Sequence, residues 1–186
     1  IGSSDQTEKA LSIKINHRGE GALDKRGTLF ILAVGVDKYP GLPKRCLGPG
    51  GSCDLQFAGS DARGFTAIAE REMKRSHDKV VVRLLTNLGP EGEAPTKANI
   101  KSALDGVAGQ AKGNDTVALF FAGHGVNRGG SYYFVPTDAV EAKGENGSET
   151  FIEWGDVQSS INRLQGRRLL FLDACHAGNS YDPRVK

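Results

Sequence analysis

Two reactive side chains stand at equivalent points of two similar stretches. Arg168-Leu-Leu-Phe-Leu-Asp-Ala-Cys-His-Ala-Gly-Asn179 starts with an apolar run, Leu169 to Leu172, and turns polar at Asp173, Cys175 and His176. Val117-Ala-Leu-Phe-Phe121 is a second apolar run, and it ends in Ala122-Gly-His-Gly125. Runs of this kind bounded by glycine are how strands covered on both faces read. One such strand delivers a thiol to its carboxyl end and the other an imidazole, as at an active-site edge of an α/β sheet. Side chains two apart on a strand point the same way. Asp173 therefore shares a face with Cys175, and Ala122 with His124. Cys175 and the adjacent His176 point to opposite faces, which makes His176 a poor base for its neighbour. If the two strands lie side by side, His124 and Cys175 meet, and the chemistry is that of a thiol nucleophile with an imidazole acid/base. Gly123 and Gly125 allow close approach of the backbone to a ligand. The N–H groups of Gly125 and Cys175 are then available to a developing oxyanion.

The elements that must position these residues alternate. Residues 1–27 are polar and weakly periodic, an N-terminal arm with at most a short strand at Leu11–Ile15, and a catalytic domain is expected over 28–186. Thr28–Val36 reads as the first buried strand, and Asp37–Ser52 as a loop rich in Gly and Pro. Leu55, Ala58, Ala62, Phe65 and Ala69 fall on one helical face, with Asp61 near the start of that helix. Lys79–Leu85 is a second strand. Thr96 is a plausible N-cap for a helix with Ile100, Ala103, Leu104, Val107, Ala108 and Ala111 on one stripe, stopped near Gly113. Gly129-Gly130 marks a turn before a short strand, Ser131–Val135, and Ala139–Glu149 is a polar loop. Trp154, Val157, Ile161 and Leu164 mark a third helix. Strands alternating with helices predict a mostly parallel sheet with helices on both faces and right-handed crossovers.

Bulk properties narrow the function classes. A chain of 186 residues with 38% hydrophobic and 25% charged residues fits one soluble domain with a real core. A net charge of +2 gives no ground for a nucleic-acid or membrane partner. No apolar run approaches the roughly 18 residues of a membrane span, and no signal peptide is evident, so a cytoplasmic location is expected. Three cysteines, an odd number, argue against a disulfide framework and favour a reducing compartment. Cys46 and Cys53 read as loop thiols, and His17 and His77, in polar surroundings, as surface residues.

Phe121-Ala-Gly-His-Gly125 together with Leu172-Asp-Ala-Cys-His-Ala-Gly178 resembles the caspase-like cysteine peptidases of family C14. In that pattern the histidine precedes the cysteine box by about 50 residues. Asp173, two before the cysteine, moves the likeness toward the metacaspase and bacterial orthocaspase branch. The resemblance covers about Leu29 to Asp182. It implies a caspase-like three-layer α/β sandwich and a Cys–His dyad, with Cys175 as nucleophile, His124 as acid/base and Gly125 and Cys175 as oxyanion donors. It also implies an acidic S1 pocket that prefers Lys or Arg, here Asp173 and the Asp61 of Gly59-Ser-Asp-Ala62. Ala122 occupies the place of the family's pocket serine. Metacaspases often bind calcium, for which Asp182 and Asp138 are the candidates, although the chemistry itself requires no cofactor. Caspase-like sheets have six strands, two of them after the nucleophile, which implies a small (p10-like) subunit from the same precursor. Lys186, with Arg184 as a secondary site, is the expected point of self-processing.

Each residue also has a plainer role. A cysteine ending an apolar strand is often a buried small hydrophobe, Asp61 fits a helix-start cap, and Asp173 a partner for nearby backbone. Three function classes follow: an endopeptidase cutting proteins after Lys or Arg, a catalytically silent caspase-fold scaffold, and a metal-binding domain using Cys175, His176 and His124. The opposed directions of Cys175 and His176 count against the last, and retention of both dyad members counts against the second.

Overall fold

A computed structural model describes residues 27–43, 52–88, 93–140 and 149–174. Its centre is a four-stranded parallel sheet in the order β2-β1-β3-β7. The strands are β1 (Thr28–Gly35), β2 (Lys79–Thr86), β3 (Thr116–Gly123) and β7 (Arg167–Ala174). Between them run α1 (Ala58–Met73), α2 (Lys97–Gln110) and α3 (Trp154–Arg163). A small antiparallel sheet, β4-β5-β6, is formed by Gly125–Arg128, Ser131–Phe134 and Ile152–Glu153.

The layers follow from β1, which is apolar on both faces. Leu29 and Ile31 pack with Ala69 of α1 on one side. Phe30, Leu32 and Val34 join Ile100 and Leu104 of α2 and Trp154 and Val157 of α3 on the other. Successive side chains of a strand face opposite ways, so an unbroken apolar run fits only the centre of a three-layer sandwich. Leu29, Leu32 and Val34 are fully buried, and each such side chain contributes about 1.5–3 kcal/mol. The expected fold class is thus the observed one. Thr96 caps α2, its side chain accepting from the Asn99 N–H at 3.2 Å.

Several expectations change. β7 reads from sequence as a strand buried on both faces, yet Leu169, Leu170 and Phe171 are 39%, 44% and 45% exposed. The reason is topological: β7 is the sheet edge and pairs only with β3 among the described residues. β4 and β6 have too few apolar residues to announce themselves. The turn between β4 and β5 does, because Gly129 and Gly130 both adopt positive φ (56° and 85°), the backbone of a tight hairpin. His77 is buried rather than on the surface, with its ring nitrogens against Thr116 Oγ1 and the Met73 carbonyl, each at 2.9 Å. Cys53 is buried and disulfide-bonded, not a free loop thiol. The other two cysteines, Cys46 and Cys175, lie outside the described residues.

Candidate active site

The carboxyl ends of β1, β3 and β7 are in register. Gly35 lies opposite Ala122, Ala122 opposite Asp173, and Gly123 opposite Ala174. The ladder runs on past β1 through the Val36 N–H, which donates to the Ala122 carbonyl at 3.0 Å. The condition set by the sequence, that the two reactive stretches be neighbours, is met. His124 follows Gly123 in the chain and Cys175 follows Ala174. Cys175 itself, like His176, Asp182, Arg184 and Lys186, lies outside the described residues.

A cavity of about 300 Å³ opens at this edge, lined by Leu55, Ala58, Asp61, Ala122, His124 and Asp173 among others. One cavity therefore gathers four of the residues picked out from sequence: His124, Asp61, Asp173 and Ala122. Its walls are mostly apolar, with carboxylates from two different elements. That combination suits a long aliphatic stem carrying a cation. Asp173 and Asp61 are both exposed in this chain. A desolvated carboxylate in need of a partner, the expected source of cation selectivity, is not what the isolated edge strand presents. Gly125 begins β4, opposite Phe134.

His124 is held from three directions. Its backbone N–H donates to the Tyr39 hydroxyl at 2.9 Å. Its ring packs against the Tyr39 ring at a centroid distance of 4.7 Å and a tilt of 39°. Its Nε2 lies 2.7 Å from the Cys53 carbonyl. Gly123, just before it, has no room for a side chain, since an added Cβ would stand 2.9 Å from the Tyr39 hydroxyl oxygen.

Asp61 is placed by a cap that does not come from its own helix. Phe57, at the N-cap position of α1, supplies no side-chain hydrogen bond. The buried Asp37 does so across space: both its carboxylate oxygens accept from the Gly59 N–H, at 3.2 and 3.1 Å. A carboxylate at a helix N-terminus is favoured both as an acceptor and by the helix dipole. A Cβ at Gly59 would lie 2.4 Å from an Asp37 oxygen, so any larger residue there would make the capping carboxylate shift.

Tyr39, the Cys53 carbonyl and Asp37 escape the sequence reading. Their partners are 85, 71 and 22 positions away. The only signal is that the chain from Asp37 on leaves the carboxyl end of β1, which is where such sheets place their sites.

Of the two calcium candidates, Asp182 lies outside the described residues and Asp138 is engaged elsewhere. The Asp138 carboxylate accepts from the Lys97 N–H at 2.8 Å, at the first residue of α2, and serves as a helix cap. Among the described residues no group of three or more His, Cys, Asp or Glu side chains is arranged to hold a metal ion. No helix of the described residues is long and apolar enough to cross a membrane.

A family model for the caspase domain of peptidase family C14 matches residues 63–186, most of the chain and both reactive stretches. The chain belongs to the caspase-domain peptidase family. No curated protein matches this caspase domain. Among solved structures it is similar to protein GSU0716 from Geobacter sulfurreducens, with 20% identity and a TM-score of 0.56. That likeness covers 80% of this chain and supports the fold alone. The caspase domain spans about half (50%) of the length of that neighbour.

Proposed function

We propose that this chain is the large catalytic part of a cysteine endopeptidase of the metacaspase or orthocaspase type. It cuts proteins after Lys or Arg, and is itself processed from a precursor. The observation that carries the proposal is the pairing of Gly123 with Ala174 beside a cavity lined by His124, Asp61 and Asp173. A thiolate from Cys175 attacks the scissile carbonyl. His124 takes up the thiol proton and donates it to the amine as the C–N bond breaks. It then draws a proton from the water that cleaves the acyl–cysteine thioester and returns it to the Cys175 sulfur. The N–H groups of Gly125 and Cys175 receive the oxyanion as the carbonyl becomes tetrahedral. Asp173 and Asp61 accept the cationic end of the residue before the cut, whose aliphatic stem lies against Leu55 and Ala58.

The edge of β7 and its three exposed apolar side chains are the surface on which the small subunit would add further strands. Calcium would engage Asp182 and Asp138, the latter at the cost of its capping bond to α2; the chemistry itself requires no metal.

The test is hydrolysis of fluorogenic peptides ending in Arg, Lys, Asp or Leu by the full-length precursor, with a thiol-directed peptidyl inhibitor as titrant. Turnover of the basic pair with stoichiometric labelling of Cys175 is expected. Labelling without turnover of any peptide would favour a silent scaffold, and preference for Asp would overturn the pocket.

A further inference from the structure

We propose that Tyr39 is a positioning residue for the acid/base, fixing both the backbone and the ring plane of His124. The proposal rests on the reading of His124 as acid/base. Tyr39 is buried, 2% exposed, in the loop that leaves β1. Its hydroxyl does two things at once: it accepts from the His124 N–H at 2.9 Å and donates to the Val36 carbonyl at 3.1 Å. Only a group that is both donor and acceptor can bridge those two backbone atoms. Val36 is also the residue whose N–H extends the β1–β3 ladder onto Ala122. The hydroxyl thus ties the turn that carries His124 to the rigid centre of the sheet.

The rest of Tyr39 makes that tie stiff. Its backbone N–H donates to Asp54 Oδ1 at 3.1 Å, and its carbonyl accepts from the Leu42 N–H at 3.1 Å. Its ring covers one side of the imidazole, with the centroids 4.7 Å apart. The Cys53 carbonyl takes Nε2 from another direction. With the backbone, one ring side and one ring nitrogen held, the imidazole has little rotational freedom beside the cavity it lines. Effective catalysis needs that freedom removed before substrate arrives. Gly123 completes the device, since any side chain there would push into the Tyr39 hydroxyl.

The test uses Tyr39→Phe in the full-length chain, with Tyr132→Phe, a buried tyrosine packed on Trp154, as control. Two readouts are taken: kcat and KM on a basic peptide, and amide hydrogen exchange in the peptide containing His124. Tyr39→Phe removes both hydroxyl hydrogen bonds and is expected to lower kcat about tenfold, with KM unchanged. It is also expected to speed exchange at the His124 amide while the β1 and β3 amides stay protected. The control should do neither. Wild-type kcat or unchanged His124 exchange in Tyr39→Phe would overturn the proposal, as would uniform loss of protection across the sheet. Should the wild type hydrolyse no peptide while Tyr39→Phe still frees the His124 amide, the peptidase reading fails and the positioning by Tyr39 stands. If Tyr39→Phe does not fold, Gly123→Ala probes the same contact from the other side. Its two readouts are the same, and the same outcomes support or overturn the proposal.

Discussion

The Cys53 carbonyl and the His124 imidazole meet at 2.7 Å through Nε2. A carbonyl oxygen has no proton to give, so the hydrogen of that bond resides on Nε2. Nδ1 is then the nitrogen free to exchange a proton in the neutral ring. Among the described residues Nδ1 has no hydrogen-bond partner. A backbone carbonyl thus holds this imidazole as a carboxylate holds the histidine of a Ser-His-Asp triad: it selects the tautomer and orients the ring.

The dyad makes the sharpest prediction. Cys175→Ala should abolish peptide hydrolysis. His124→Ala should lower kcat by about 10²–10⁴-fold, the usual worth of a positioned acid/base. His176→Ala should stay close to wild type. Steady-state rates on one basic fluorogenic peptide decide all three, and wild-type activity in Cys175→Ala would show that Cys175 is not the nucleophile.

Basic selectivity should depend on both carboxylates of the cavity. Charge-assisted hydrogen bonds contribute about 1.5–3 kcal/mol each, or about one to two powers of ten in kcat/KM. Asp173 and Asp61 are exposed in this chain, so the low end is expected. Asp173→Ala should therefore cost about tenfold on Arg and Lys peptides and leave the residual rate on Leu peptides unchanged. Equal losses on all peptides would assign Asp173 to structure instead.

The sheet and the shared edge of the two reactive stretches were legible because both rest on local patterns. The apolar runs of β1 and β3 are unbroken, the helical stripes of α2 and α3 are periodic, and the structure has elements at each. Asp173 and His124 could be placed on one edge because strand geometry fixes which side chains share a face. What was hidden depends on contacts between distant segments. Nothing near Phe57 says that Asp37 will cap α1, and nothing near Cys53 says that its carbonyl will receive a histidine. The exposure of β7 was hidden for a different reason. Its composition is that of an interior strand, and only the sheet order makes it an edge.

Gly59→Ala isolates the cap of α1. The added methyl would meet an Asp37 oxygen at 2.4 Å and Leu88 at 2.9 Å, so either the capping bond or the helix start must shift. Crowding of this kind costs about 1–3 kcal/mol. A lower urea midpoint with an unchanged slope is expected, together with weaker discrimination for Arg, because Asp61 sits in the displaced first turn. Gly64→Ala, where an added Cβ meets nothing within 4 Å, is the control and should be neutral or stabilising.

Asp54 gives the site an acid-side dependence. The Tyr39 N–H, and then the Lys38 ammonium at 3.0 Å, hold its carboxyl below the 3.8 of a free aspartate. A carboxylate with a depressed folded value stabilises above its unfolded value, and that contribution is lost as pH falls through the folded one. The loop from Tyr39 to Asp54 should therefore loosen at strongly acidic pH, not near neutrality. The group is exposed, so the effect is small and shrinks with salt. Asp54→Asn should flatten the fall in thermal midpoint between about pH 5 and pH 2 relative to wild type. An identical acid limb in both proteins would rule Asp54 out as its source.

The β7 edge makes the last prediction. An edge strand with unpaired backbone groups and apolar side chains on both faces is a template for another strand. Leu170 is 44% exposed, whereas Phe171, on the opposite face, already touches Phe65 of α1 at a ring distance of 4.9 Å. Leu170 is thus the position where charge obstructs a partner with least harm to the chain's own packing. On its own the 186-residue chain should self-associate as concentration rises, and Leu170→Lys should shift it toward monomer without lowering its thermal midpoint. In the full-length precursor the same substitution should reduce peptide hydrolysis, because the added strands would no longer seat against β7 and close the cavity wall beyond Ala174. Light scattering on the isolated chain and rate measurements on the precursor separate the two effects. A wild-type chain that is monomeric at all concentrations and fully active alone would show that β7 is complete as it stands, and that the cavity lined by His124 needs no second subunit.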